Sequence, residues 1–196
     1  MSEFDSEADS DYSIEEKTET QTDLEKEKEK IKNEDLIKII SEQLNLILEQ
    51  NKKLSDYKDI IEKQRQYVFS ANSIPQISIY DYLKRIQNYT FMDKSTLIIS
   101  LIFIDKICEK SGLTLTYYNI HRILFAAVLL AIKYNEDFFY DNKYYSEIAG
   151  VKIKELKLIE YNFLVLVDFN LFVKNEVYEN YCENLENFQI KKSSKK

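Results

Sequence analysis

The chain is poor in the residues that build phosphate-binding loops and histidine-based sites. Its 196 residues include two glycines, one proline, two cysteines, one histidine and no tryptophan. A P-loop or a dinucleotide fingerprint needs glycines at close spacing, whereas Gly112 and Gly150 stand far apart. Because His121 is the sole histidine, a histidine-rich zinc site is excluded as well. The sequence therefore predicts no catalytic residues, no metal site and no cofactor.

Acidic residues outnumber basic ones, 34 against 27, which gives a formal net charge of -7. Nucleic acids and anionic membranes attract clustered positive charge, so a protein partner is the better expectation. No run of about 18 apolar residues is present to span a membrane, and the N-terminus is acidic rather than basic and then apolar. Cys108 and Cys182 show no paired spacing, which favours two reduced thiols. We expect an intracellular protein of the nucleus, the cytoplasm or both.

Composition divides the chain into four parts. Residues 1–30 are acidic and rich in Ser and Thr, with too few apolar groups to offset the entropy of ordering, so this tail is predicted to be disordered. Residues 31–69 show helical periodicity and predict one long N-terminal helix. Residues 70–185 predict a compact helical domain. Residues 186–196 form a basic C-terminal tail that ends in KKSSKK.

The predicted N-terminal helix carries apolar residues at an interval of seven. They are Ile40, Ile47, Leu54, Ile61 and Val68. A two-stranded coiled coil needs a second apolar position in each heptad, and the later companion positions are Asn51, Lys58 and Arg65. We therefore favour a helix that packs on its own domain over a dimerising coiled coil.

Residues 70–185 read as a succession of helices with short connections. The predicted helices cover residues 76–89, 94–110, 119–134, 142–149, 153–167 and 175–185. Gly112 and Gly150 are placed to end two of them. The segment ILFAAVLLAI is apolar nearly all round, which is typical of a helix at the centre of a bundle. The fold class is accordingly all-α.

Three charged residues, Asp105, Lys133 and Glu160, fall on helix stripes that are otherwise apolar. A buried charge costs several kcal/mol unless it is paired, so such positions mark either an internal ion pair or a surface that binds a partner. A third interpretation gives Lys133 and Glu160 no special role: Lys133 extends to water from a helix end, and Glu160 pairs with Lys157 or Lys154 on the surface.

A dense aromatic group lies between the third and fifth predicted helices of this domain. Its members are Phe138, Phe139, Tyr140, Tyr144 and Tyr145. Protein interfaces favour aromatic side chains, so the group is a candidate contact surface. Packing of this segment onto the bundle is the equally weighted alternative.

Five segments carry a family resemblance. They are IPQISIYDYLKRIQNYT, LIFIDK, LTYYNIHRILFAAVLLAIKYNED, FYDNKYYSEIAGV and ELKLIEYNFLVLVDFNLFV. In this order and spacing they resemble the cyclin box of the PHO-type cyclins, also called P/U-type cyclins, over roughly residues 70–185. The resemblance implies a five-helix bundle around a central third helix. The long N-terminal helix and a short C-terminal helix, both predicted from apolar spacing, lie before and after it.

The resemblance also implies roles for the three charges. Cyclins carry a Lys near the end of the third helix and a Glu in the fifth that contact the kinase, and Lys133 and Glu160 match these positions. The second-helix Asp, here Asp105, is in the family the internal partner of a first-helix arginine. Gln76 stands where that arginine would be, so Arg85 is the nearest candidate for the structural ion pair. The Met-Arg-Ala-Ile-Leu motif of cell-cycle cyclins is absent.

The function implied is that of a non-enzymatic subunit that binds and activates a cyclin-dependent serine/threonine kinase by positioning its αC helix and activation loop. Lys133, Glu160, Phe138, Phe139 and Tyr140 are the predicted kinase-binding residues. The chain is expected to be monomeric apart from the kinase heterodimer. Two alternatives stay open: a helical scaffold or dimerisation module without a kinase partner, and a relative of the DNA-bound transcription factors that share the fold.

Overall fold

The computed structural model describes residues 33–193, which contain eight α-helices and no β-strand. The helices are α1 (33–52), α2 (Tyr57–Gln64), α3 (Ile79–Thr90), α4 (Lys94–Ser111), α5 (Ile120–Asn135), α6 (Asn142–Ala149), α7 (Ile153–Leu166) and α8 (Asn175–Ser193). Inter-residue contacts divide the chain into residues 1–36 and residues 37–196, and the features described below lie in the second unit. The all-α prediction is confirmed.

Helix α5 is the centre of the bundle. Every residue from Ile123 to Ile132 is buried, as the all-round apolar sequence of this segment predicts. Helices α4, α6 and α7 contact α5 directly, and α8 contacts α4. Helix α3 meets α5 through aromatic rings, since the Tyr82 ring lies 6.2 Å from that of Phe125. Helices α3 to α7 therefore form the predicted five-helix bundle around a central helix.

Local sequence signals fix the helix ends. The Ser78 hydroxyl accepts a hydrogen bond from the Asp81 amide at the start of α3, and the Asp141 carboxylate accepts one from the Tyr144 amide at the start of α6. Gly112 and Gly150 end α4 and α6 with φ of 67° and 72°, the left-handed region in which glycine avoids a steric cost. Both predicted stops are confirmed.

The prediction of one helix over residues 31–69 differs from the structure, in which a turn at residues 53–56 separates α1 from α2. The interval of seven does not mark a buried seam either, since Ile47 and Leu54 are exposed while Ile40 and Leu48 are fully buried. The buried positions are spaced by three and four residues along a single helix, which is the ordinary pattern of a helix on a core.

The structure bears on the boundaries that the sequence predicts for the two terminal tails. Helix α8 continues to Ser193, so it takes in most of the segment that was assigned to a basic tail. The predicted disorder of residues 1–30 lies outside the described residues. No helix within residues 33–193 is long and apolar enough to cross a membrane.

Candidate partner-binding site

Lys133, Asn142 and Glu160 form a closed polar cluster where α5, α6 and α7 meet. The Lys133 ammonium donates to Glu160 Oε1 at 2.5 Å and to Asn142 Oδ1 at 2.7 Å. Asn142 Nδ2 donates in turn to Glu160 Oε2 at 2.7 Å. The side chains of Lys133 and Glu160 are 24% and 15% exposed, so the pair is half-buried and opens to solvent on one side.

Each member is placed by the helix that carries it. Lys133 lies in the last turn of α5, where a cation is stabilised by the helix dipole. Asn142 is the first residue of α6, whose start is fixed by the Asp141 cap. Glu160 follows the buried Ile159 on α7, which sets it at the edge of the face that contacts the core. The cluster is therefore a consequence of three helix registers.

The cluster argues against one of the interpretations left open by the sequence. Lys133 and Glu160 form an ion pair with each other, so Glu160 does not depend on Lys157 or Lys154 for a partner. Asn142 was not singled out by sequence reasoning, because an Asn at the start of a helix is an ordinary choice. Its amide supplies one donor and one acceptor, which joins the two charges into a ring.

Three predicted aromatic residues lie on the surface immediately before α6. Phe138, Phe139 and Tyr140 are 93%, 55% and 53% exposed. The Tyr140 amide donates to the Tyr145 hydroxyl at 3.2 Å, and Tyr145 itself is buried. The aromatic group therefore divides: Tyr145 packs into the bundle, as one alternative predicted, while residues 138–140 present their side chains to solvent.

Helix α7 carries a second apolar stripe that the sequence-based interpretation missed. Leu158, Tyr161 and Val165 are 52%, 60% and 42% exposed, and they lie on the side of α7 that faces away from the buried Ile159 and Phe163. Their spacing of three and four residues was visible in the sequence. It was overlooked because a single apolar stripe already accounted for the helix.

The predicted ion pair between Asp105 and Arg85 is wrong. Asp105 is exposed and accepts a hydrogen bond from the Tyr181 hydroxyl of α8, whereas Arg85 donates to the Glu147 carbonyl oxygen at 2.9 Å. Helix α8 covers α4 at this point, and burial together with the Asp105 carboxylate raises the pKa of Tyr181. The apolar residues around Asp105 in the sequence face inward, while Asp105 itself faces out.

Comparison with known proteins identifies the family. The family model described as Cyclin matches residues 10–171. Cyclin-U2-1 of Arabidopsis thaliana is 33% identical over 152 residues, which are 77% of this chain and 68% of that protein. Cyclin-U2-2 of the same plant is 35% identical over 120 residues, 61% of this chain and 52% of that protein. PHO85 cyclin-7 of Saccharomyces cerevisiae is 29% identical over 174 residues, 79% of this chain and 61% of that protein. The chain therefore belongs to the cyclin family, and within it to the PHO-type cyclins.

Proposed function

We propose that the chain is the regulatory subunit of a cyclin-dependent serine/threonine kinase, which it activates by positioning the αC helix and the activation loop of that kinase. The observation that carries the proposal is the ring of Lys133, Asn142 and Glu160, half-buried at the junction of three helices. Family membership supplies the kind of partner, and one of the similar proteins is named PHO85 cyclin-7.

The ring suits a protein interface because its charges are ordered before the partner arrives. An ammonium has three N–H donors. Two of those of Lys133 bond to Glu160 and Asn142, which leaves one donor for a partner on the solvent side. Holding both side chains in one geometry reduces the ordering entropy that binding would otherwise cost. A partner that presents a backbone carbonyl and an amide next to each other would bind both ends of the pair.

Exposed apolar side chains occur on two of the segments that carry members of the ring. Phe138, Phe139 and Tyr140 precede Asn142, and the stripe of Leu158, Tyr161 and Val165 lies on the helix that carries Glu160. Large aromatic and aliphatic side chains supply most of the binding free energy at protein interfaces. The polar ring would then fix the orientation of the partner, and the apolar side chains would supply affinity.

The mechanism is a shift of population in the kinase. An inactive kinase of this class holds its αC helix away from the catalytic centre, so the Lys–Glu pair that orients ATP is broken. A cyclin surface that contacts the inward αC position and not the outward one favours the active state by the difference in contact free energy. The chemistry of phosphoryl transfer then belongs wholly to the kinase.

The test exchanges the two charges. A Lys133→Glu/Glu160→Lys variant keeps an ion pair within the chain but reverses the charges offered to the kinase. The full-length tagged variant is recovered from native extract, and phosphate transfer from ATP to a serine/threonine substrate is measured in the eluate. We expect a loss of kinase activity of at least about tenfold, with a free energy of unfolding closer to that of the unaltered chain than either single variant shows.

The matched control exchanges an exposed ion pair. Lys110 and Asp168 lie 3.2 Å apart with side chains 53% and 74% exposed, and Lys110→Glu/Asp168→Lys should recover kinase activity in full. Recovery of equal activity with the Lys133/Glu160 exchange would contradict the proposed interface. Recovery of no kinase with the unaltered chain would contradict the proposed function itself.

A further inference from the structure

The charged side chains of helix α7 are sorted between two sides of the helix. Its two carboxylates, those of Glu155 and Glu160, each pair with a basic side chain of α5. Its two lysines, Lys154 and Lys157, are exposed, and neither forms an ion pair with any residue in the part of the chain that the structure describes. The acidic side chains therefore tie α7 to the bundle, and the basic ones are left to solvent.

The two lysines share the outward face of α7 with the exposed apolar stripe. Leu158, Tyr161 and Val165 follow Lys154 by four, seven and eleven residues, which is the spacing of positions on one side of a helix. The residues of α7 that pack on the bundle lie on the opposite side. The outward face, made of these four residues and Lys157, is about 16 Å long at about 1.5 Å per residue. It is cationic towards the start of α7 and apolar towards its end.

The stability of α7 does not account for the cations at its start. Lys154 lies in the first turn, where the helix dipole disfavours a positive charge. The N-cap is Lys152, which makes no side-chain capping bond, whereas Ser, Thr, Asp and Asn are the residues favoured there. Departures of this kind from local preference are expected at functional sites. The lysines of the outward face therefore indicate binding rather than helix formation.

The outward face adjoins the ring of Lys133, Asn142 and Glu160. Lys157 precedes Glu160 by three residues, and positions at this spacing are neighbours on a helix surface. A partner helix that lies along the outward face would therefore also reach the ring. The proposed function provides such a helix, because it assigns the αC helix of the kinase to this part of the chain.

We propose that Lys154 and Lys157 determine which kinase the chain binds, by selecting one whose contacting helix carries carboxylates beside its apolar side chains. The choice of a kinase as the partner rests on the proposed function. Opposite charges across an interface speed association and disfavour partners of the wrong charge, while the apolar stripe supplies affinity. A kinase whose contacting helix is neutral or basic at this place would bind more weakly.

The first experiment uses helical peptides, so its result does not depend on a kinase. The acidic peptide is an alanine-based helix with glutamate at two positions and leucine at three, at the spacing of the two lysines and the three apolar residues of the outward face. A second acidic peptide has the reverse order, which covers the antiparallel orientation. The neutral counterpart of each peptide has glutamine in place of glutamate. Binding to the full-length chain is followed by the amide chemical shifts of Leu158, Tyr161 and Val165.

We expect saturable shifts with one acidic peptide and an affinity at least about fivefold lower with its glutamine counterpart. The variant Lys154→Glu/Lys157→Glu should bind the acidic peptide at least about tenfold more weakly, because attraction becomes repulsion while the apolar stripe is kept. From native extract it should recover at least about tenfold less kinase activity, measured as phosphate transfer to a serine/threonine substrate in the eluate. Both lysines are exposed, so its circular dichroism should match that of the unaltered chain.

The matched control is Lys58→Glu/Lys63→Glu, which makes the same change of charge at two exposed lysines of α2. It should alter peptide affinity and kinase recovery by less than about twofold. An equal effect of the two double variants would mean that net charge alone is responsible, which would overturn the proposed selectivity.

Three further outcomes would overturn it. They are the absence of saturable shifts with either acidic peptide, equal affinity for the acidic peptide and its glutamine counterpart, and equal kinase recovery by Lys154→Glu/Lys157→Glu and by the unaltered chain. In the last case, tight binding of the acidic peptide would assign the outward face to an acidic helix of another protein. The proposed function would still stand, because it fails only if the unaltered chain recovers no kinase.

Discussion

The two ends of the central helix α5 differ in how completely their polar side chains are hydrogen-bonded. At the C-terminal end Lys133 is enclosed in a ring with Asn142 and Glu160, and each member bonds to the other two. At the N-terminal end, about 18 Å away along the helix axis at about 1.5 Å per residue, His121 has a buried nitrogen without a partner among the described residues and lines a cavity.

This difference bears on the binding of a partner at one end and on stability at the other. A closed polar ring is complete within the chain, so a partner adds to an arrangement that already exists. A buried acceptor without a partner, such as His121 Nδ1 among the described residues, costs free energy that the rest of the fold must offset. The first arrangement suits a protein interface, and the second lowers the stability of its end of the helix.

The largest expected effect comes from opening the C-terminal ring. Glu160→Ala leaves the Lys133 ammonium half-buried without its counter-ion, and we expect the free energy of unfolding to fall by about 2–3 kcal/mol. Urea unfolding followed by circular dichroism measures the change. Lys133→Met in the same chain should recover part of the loss, since the uncompensated charge is then gone. Lys110→Ala, which breaks an exposed pair, should have no measurable effect. Equal losses for Glu160→Ala and Lys110→Ala would remove the contrast between the half-buried and exposed pairs.

A smaller effect is expected at the N-terminal end from Arg122→Met. The exchange removes two hydrogen bonds to backbone carbonyls and breaks the ion pair with Glu155. The side chains of Arg122 and Glu155 are 25% and 33% exposed. We expect a loss of about 1–2 kcal/mol in the same unfolding measurement. The control is Arg65→Met, because Arg65 pairs with Glu62 at 67% and 74% exposure and should contribute little. A loss from Arg122→Met as large as that from Glu160→Ala would mean that the N-terminal end is the more tightly tied of the two.

The smallest effect is the titration of His121. Its pKa is lowered in the folded chain by burial, so the unfolded chain binds more protons as the pH falls through the ordinary value of 6.5. The free energy of unfolding should therefore be highest above about pH 6.5 and should decline towards about pH 5.5. This pH range lies above the range in which carboxylates ordinarily titrate. His121→Gln should flatten the decline. Since the chain has one histidine, a single imidazole resonance reports the pKa, and a value of 6.5 or more in the folded chain would contradict the burial argument.

Particular helices and turns show which parts of the fold could be predicted from the sequence. The all-round apolar run at residues 123–132 placed α5 at the centre, and the range predicted for the helix that Gly150 ends agrees with α6 at Asn142–Ala149. These features depend on composition and on local hydrogen bonds, which a sequence displays directly. The turn at residues 53–56 was not predicted, because polar residues there are equally compatible with the exposed face of a continuing helix.

The candidate site was predictable only in part. Lys133 and Glu160 were singled out from their place on apolar stripes, but the same pattern also selected Asp105, which faces solvent and bonds to Tyr181. A helix advances by about 100° per residue, so a position next to a buried stripe can lie at its edge or beyond it. The neighbouring helix decides which of the two occurs.

The sequence by itself determined the helix content, the identity of the central helix, most helix ends and membership of the cyclin family, because these are properties of composition, periodicity and order along the chain. Only the tertiary structure decided that Asn142 completes the ring with Lys133 and Glu160, that Arg85 and Asp105 do not meet, and that His121 lines a cavity. These outcomes depend on the relative placement of helices that are distant in sequence. That placement is set by the packing of many side chains together, so no single segment encodes it.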